Sequence, residues 1–158
     1  MALLKLEHIS KSFDHHGNVI EVLKSIDLKV KAGDSLAVMG VSGAGKSTLL
    51  NIMGSLEDPT DGVVMFNGMN LYEMDERRLS HLRNRQIGFV FQFHHLLPEL
   101  TALENAMMPA LIARYSRRKA TGMARAVLEK VGLIKRVDHR AGELSGGEQQ
   151  RVAIARAL

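Results

Sequence analysis

GVSGAGKST, residues 40–48, meets the pattern G-x-x-x-x-G-K-[ST] through Gly40, Gly45, Lys46 and Ser47. Ahead of it SLAVMG, residues 35–40, is a short apolar stretch suited to a buried strand. Behind it, residues 47–53 carry helix formers with Leu49, Leu50 and Met53 on one face. The expected local order is strand, loop, helix. Gly43 and Gly45 have no Cβ, so the backbone can bend tightly there and turn successive N–H groups inward. The helix opening at the loop presents its positive dipole end and unpaired N–H groups to the same point. Lys46 can reach outer phosphates as a point charge, and the Ser47 hydroxyl can ligate Mg²⁺. The stretch predicts a nucleoside triphosphate site formed by Gly40, Ser42, Gly43, Ala44, Gly45, Lys46, Ser47 and Thr48.

A second stretch, LSGGEQQRVAIARAL at residues 144–158, narrows the reading. Ser145 can cap the helix that follows, and Glu148 three residues on completes a capping box. Gly146 and Gly147 leave backbone N–H groups uncovered at that helix start, a second place suited to an anion. An isolated SGGE would mean only a well-capped helix. Following a phosphate loop, the whole run resembles the signature of ATP-binding-cassette (ABC) ATPases. That resemblance implies that Ser145, Gly146 and Gly147 bind the γ-phosphate of ATP held by the partner subunit, in a head-to-tail homodimer closed around two nucleotides. GFVFQ, residues 88–92, reads as an apolar strand ending in glutamine and is similar to the family's Q-loop. Gln92 would then approach Mg²⁺ and the attacking water, and the segment after it would touch an integral membrane permease. Phe13 falls where these ATPases carry an aromatic that stacks on adenine, which requires only a flat π face.

FHHLLPELTALENAMMP, residues 93–109, is similar to the ATPase subunits of lipoprotein-releasing (Lol) transporters, and the likeness extends over essentially the whole chain. Macrolide-exporter and cell-division ATPases share these motifs and stand as alternatives, the latter as nucleotide-gated interaction modules. The resemblance implies ATP and Mg²⁺ as cofactors, Lys46 and Gln92 as the catalytic pair, and Ser47 and Gln92 towards the metal. It also implies a place on the cytoplasmic face of the inner membrane. His94-His95 and His15-His16 invite a metal reading. Adjacent side chains on an extended segment diverge, however, and no carboxylates stand nearby at ligand spacing.

Composition agrees with a single globular domain. The chain has 158 residues, 46% hydrophobic and 24% charged, with no cysteine. It carries no run of eighteen apolar residues. The net charge of +4 is spread over helical faces, and aromatics make up only 4%, so nucleic acid is not read as a partner. Alternation in residues 3–9 and 19–30, and in VVMFNG at 63–68, predicts a small antiparallel β layer with turns at Gly17-Asn18 and Asn67-Gly68. A charged helix with Leu79 and Leu82 is expected from Asp75. Beyond Pro98 the periodicity becomes helical. Thr101 and Glu104 form a capping box ahead of Leu103, Ala106, Met107, Ala110 and Leu111. A second helix, about 117–131, carries Ala120, Ala124, Val127, Leu128 and Val131 and stops at Gly132. The methionines at 107, 108 and 123 are read as core filler.

The expected fold is therefore α/β. With the resemblance, it is a P-loop NTPase (RecA-like) ABC nucleotide-binding domain with an N-terminal antiparallel β layer and a helical subdomain. Residues 1–92 and 144–158 would form the nucleotide-binding lobe and 93–143 the helical subdomain. The family also uses, after the signature, an Asp that holds Mg²⁺ through water, a Glu that polarises the attacking water, and a His at the γ-phosphate. The sequence reaches Leu158 before any of these. It is read as the N-terminal part of a cassette truncated after the signature helix, expected to bind ATP weakly and hydrolyse it hardly at all when alone.

Overall fold

The computed structural model describes residues 2–158. The chain divides into two compact units, Met1–Ser80 and His81–Leu158.

In the first unit, β1 (Leu4–His15) and β2 (Asn18–Val30) form an antiparallel hairpin. Both turn residues are left-handed, His16 at φ 53° and Gly17 at φ 82°, which matches the right-handed twist of the strands. The Asp14 carboxylate accepts from the Gly17 N–H at 2.8 Å and closes the turn. β3 (Asp61–Phe66) pairs antiparallel with the other edge of β1. Asn67-Gly68, again both at positive φ, leads into the two-residue β4 (Met69–Asn70). The sheet order is β2-β1-β3-β4. Leu4 and Leu6 alternate towards the core, and a register break with His8 at φ 53° then brings Ile9 inward as well.

α1 (Lys46–Met53) buries Leu49 and Ile52. Leu50 is exposed, contrary to the sequence reading, because Ile52 rather than Leu50 shares the face of Leu49 at the i, i+3 spacing. The Tyr72 hydroxyl lies 2.7 Å from the carbonyls of Ile52 and Glu57 and so braces the segment leaving α1.

Two expected strands are not formed. Residues 35–40 and 88–92 enter no ladder among the described residues, and Met39 is 88% exposed. An apolar run records a tendency to be buried, but a strand exists only through hydrogen bonds to a neighbour.

α2 (Glu76–Gln86) begins as expected and buries Leu79 and Leu82. In the second unit α3 (Ala102–Ile112), α4 (Arg117–Lys130) and α5 (Gly146–Ala157) pack on one another. Alanines 102, 106, 110, 120, 124 and 155 let the helices approach closely around Met107, Leu128, Leu133, Val137 and Val152. The Thr101/Glu104 capping box is present, with both reciprocal bonds made. α4 ends in a Schellman motif. The Leu133 N–H donates to the Leu128 carbonyl at 2.8 Å and the Gly132 N–H to that of Glu129 at 2.9 Å, with Gly132 at φ 73°. Met107 is core filler, but Met123 is 44% exposed: it points off the alanine face that α4 buries.

One buried polar side chain organises this unit. The Asn105 amide nitrogen donates to the carbonyls of Leu97, Leu100 and Thr101 at 3.1–3.2 Å, and its oxygen accepts from the Leu97 N–H at 2.9 Å. Asn105→Ala strands these backbone groups. It is expected to cost about 2–3 kcal/mol of stability, measured by urea denaturation.

Candidate nucleotide-binding site

The phosphate loop takes the expected form. Gly43 and Gly45 are both left-handed, at φ 80°, and Gly45 is the N-cap of α1. A side chain at Gly45 has no room: a Cβ there would lie 2.8 Å from Val22 Cγ1, 2.9 Å from Leu23 Cδ2 and 3.0 Å from the Val22 carbonyl. The glycine is thus required twice, for its φ and for the hairpin beneath it. No side chain caps the start of α1 and its first turn holds no acidic residue. The opening N–H groups of the helix, having no intrahelical acceptor, are available to an anion. The Lys46 ammonium donates to the carbonyls of Gly40 and Val41, at 2.9 and 2.6 Å. It is held at the loop by weak neutral acceptors that a phosphate oxygen would outcompete. Ser42, Gly43, Ala44 and Ser47 are exposed, and Thr48 is half-buried. These residues fit a triphosphate with its Mg²⁺: uncapped N–H groups, the Lys46 ammonium and the exposed Ser47 hydroxyl stand together at the start of α1, whose first turn holds no acidic residue.

The signature forms a second helix start. Ser145 caps α5, its hydroxyl accepting from the Glu148 N–H at 3.3 Å, while the Glu148 carboxylate accepts from the Ser145 N–H at 2.8 Å. Gly146 and Gly147 are exposed in the first turn, and no heavy atom lies within 4 Å of a Cβ built on Gly146. Two supports were missed by sequence reasoning. Gln149 donates to the carbonyls of Ala141 and Leu144, at 2.9 and 3.0 Å, fixing the approach to the cap. Arg136 donates to Glu148 at 3.0 Å. Both partners lie several residues away, across a turn that no motif anticipates.

The Ser145 N–H, then the Ser145 hydroxyl, then Arg136 lower the Glu148 pKa from the usual 4.5 to about 2. The folded value lies below the unfolded one. The cap therefore contributes stability above pH 4.5, and this contribution is lost as pH falls towards 2. Glu148→Gln keeps the box without titrating. Denaturant midpoints between pH 5 and 2 are expected to fall less steeply for this variant than for the wild type.

Gln92 is exposed at the corner of a turn in which the His94 N–H donates to the Phe91 carbonyl at 3.1 Å. Phe93 beside it is 79% exposed. His94 and His95 are both left-handed, at φ 59° and 47°, and their carbonyls accept from the two terminal nitrogens of Arg156, each at 2.7 Å. Burial holds the Arg156 pKa below its usual value. Phe13, on β1, is 40% exposed with the Lys11 ammonium 4.8 Å from its ring centre, which leaves ring surface available for stacking. Among the described residues no three His, Cys, Asp or Glu side chains gather at ligand spacing.

Residues 23–158 match the sequence family described as ABC transporter. The chain belongs to the ABC transporter family. The chain is 54% identical, over 99% of its own length and 70% of the relative's, to the lipoprotein-releasing system ATP-binding protein LolD of Syntrophus aciditrophicus. Identity to the LolD of Myxococcus xanthus is 52%, over 100% and 70% of the two chains. Among solved structures it matches the ATP-binding cassette MJ0796, in a dimeric post-hydrolysis state bound to ADP and Pi, with a TM-score of 0.90 and 41% identity. That match covers 98% of this chain and 68% of the other. The ABC nucleotide-binding fold, with its antiparallel β layer and helices, is thereby shown, and ATP with Mg²⁺ is the cofactor of this family. Among the described residues no helix is long and apolar enough to cross a membrane.

Proposed function

We propose that this chain is the ATP-binding subunit of a lipoprotein-releasing ABC transporter, working on the cytoplasmic face of the inner membrane. The observation that carries the reading is the uncapped start of α1, with left-handed Gly43 and Gly45 ahead of it and the Lys46 ammonium at the loop. Relatives named as lipoprotein-releasing ATP-binding proteins, 51–54% identical, favour that cargo class over macrolide export or cell division.

In this reading the amides of residues 43–48, with Gly40 and Ser42, cradle the triphosphate, and Lys46 pairs with its outer oxygens. Ser47 and Gln92 would serve as the residues holding Mg²⁺, which when bound would spread charge over the phosphate oxygens. Ser145, Gly146 and Gly147 meet the γ-phosphate held by a second copy, so two chains close head to tail, in keeping with the dimeric cassettes among the structural neighbours. Gln92 orients the attacking water, and catalysis rests on positioning and charge stabilisation. Phe13 stacks on the base. Residues 1–92 and 144–158 act as the nucleotide lobe and 93–143 as the helical arm. The exposed Phe93 offers an apolar anchor to an integral membrane permease.

The test is reconstitution of the full-length protein with its membrane partner in vesicles carrying a lipid-anchored protein. Release that requires ATP and is abolished by Lys46→Ala supports the reading. ATP turnover with no release of the anchored protein would refute the cargo assignment.

A further inference from the structure

We propose that Arg156 is a positioning residue that locks the Gln92 turn to the far end of the signature helix, so that turn and helix move as one body. The proposal rests on the role given above to Gln92.

Three observations converge on the last turn of α5. Arg156 reaches back across 61 and 62 residues to place one terminal guanidinium nitrogen on the His95 carbonyl and the other on that of His94. On the other side of Gln92, Gly88 lies so close to the same helix end that a Cβ there would meet the Ala157 carbonyl at 2.3 Å. Contacts thus fall four residues before Gln92 and two to three residues after it, and all of them come from Arg156 and Ala157. The third observation is the cost of the backbone between them. Two successive non-glycine residues, His94 and His95, are left-handed, a conformation that L-residues avoid and that persists only where the surroundings impose it. The guanidinium supplies that imposition, because its planar fork holds both carbonyls at a fixed spacing. The turn is closed locally as well: the His94 N–H donates to the Phe91 carbonyl, and the Phe91 ring meets that of His95 edge-on at 5.1 Å. The local bonds define the shape of the turn, while Arg156 fixes its attachment.

The functional consequence follows from the other end of α5. Ser145, Gly146 and Gly147 open this helix, and Arg156 occupies its last turn. A displacement imposed on the signature end is carried along a rigid helix to the turn bearing Gln92. Without the fork, ATP would still bind, since the phosphate loop lies elsewhere in the sequence, but Gln92 would no longer be held in register.

The experiment uses the full-length protein with its membrane partner and compares Arg156→Gln, Arg156→Lys and Gly88→Ala with the wild type. Amide hydrogen exchange across residues 92–96 is expected to speed up at least tenfold in Arg156→Gln and Gly88→Ala, with the α3 and α4 amides unchanged. ATP turnover is expected to fall at least tenfold in kcat, with KM for ATP within twofold. Arg156→Lys, which can hold one carbonyl but not both, is expected to fall between the two and to stay folded. Unchanged exchange at 92–96, or wild-type kcat in Arg156→Gln, overturns the proposal. So does faster exchange throughout α3 and α4, which would mark a general structural role. A wild type lacking Lys46-dependent turnover would instead overturn the reading of Gln92 itself, and the exchange data would then decide the attachment alone.

Discussion

Lys46→Ala is expected to weaken ATP binding at least tenfold and, in the full-length protein, to lower turnover by about 10²–10³. Among the described residues the ammonium is held by the carbonyls of Gly40 and Val41, neutral acceptors, so its removal leaves the loop with little to repair. What disappears is a charge-assisted donor aimed where the outer phosphates accumulate charge. Thermal unfolding without nucleotide should therefore be nearly unchanged, while the stabilisation that added ATP confers on the wild type should vanish. A variant that binds ATP as tightly as the wild type would show that the ammonium does not meet the nucleotide. Arg at this position is not expected to rescue, because its wide planar fork replaces a compact charge in a tight curl.

Gly45→Ala is expected to have the larger effect on the protein itself, a loss of about 2–4 kcal/mol together with ATP binding. Two costs combine. The residue sits at φ 80°, where an L side chain is disfavoured by about 1–2 kcal/mol. The new methyl also meets Val22 and Leu23 of β2 at 2.8–3.0 Å, one of the contacts being a backbone carbonyl that cannot rotate away. Relief requires the loop to lift from the hairpin, which tilts the N–H groups opening α1. Gly43→Ala is the informative contrast. It has the same φ but no heavy atom within 4 Å of a Cβ, so only the conformational part of the cost applies. Chemical denaturation of the two variants separates strain from collision.

Local chemistry was the legible part of this chain. The caps at Thr101 and Ser145, the stop at Gly132 and the turn at Asn67-Gly68 each depend on residues a few positions apart, and each took its expected form. The hairpin turn expected at Gly17-Asn18 falls one residue earlier, at His16-Gly17, because Asn18 already pairs with His15 as the first residue of β2. The phosphate loop was legible for the same reason, since its glycines dictate φ directly. The apolar runs at 35–40 and 88–92 misled because periodicity carries no information about which neighbour will complete a ladder. Leu50 and Met123 were assigned to buried faces and are exposed. In each case the face actually buried is set by which residues meet another element, a tertiary fact. Least legible were the long-range braces. Nothing in the run LSGGEQQRVAIARAL says that Arg156 will hold carbonyls 61 and 62 residues earlier, or that Asn105 will gather the backbone at 97–101.

The central claim, that main-chain N–H groups of the loop grip a triphosphate, is most directly tested by following amide resonances of the protein while a Mg²⁺-bound, non-hydrolysable ATP analogue is added. The expected result is large, saturable shifts at residues 43–48, with the Lys46 ammonium leaving the Gly40 and Val41 carbonyls, and loss of both effects in Lys46→Ala. Saturating analogue that leaves those amides unmoved would contradict the account.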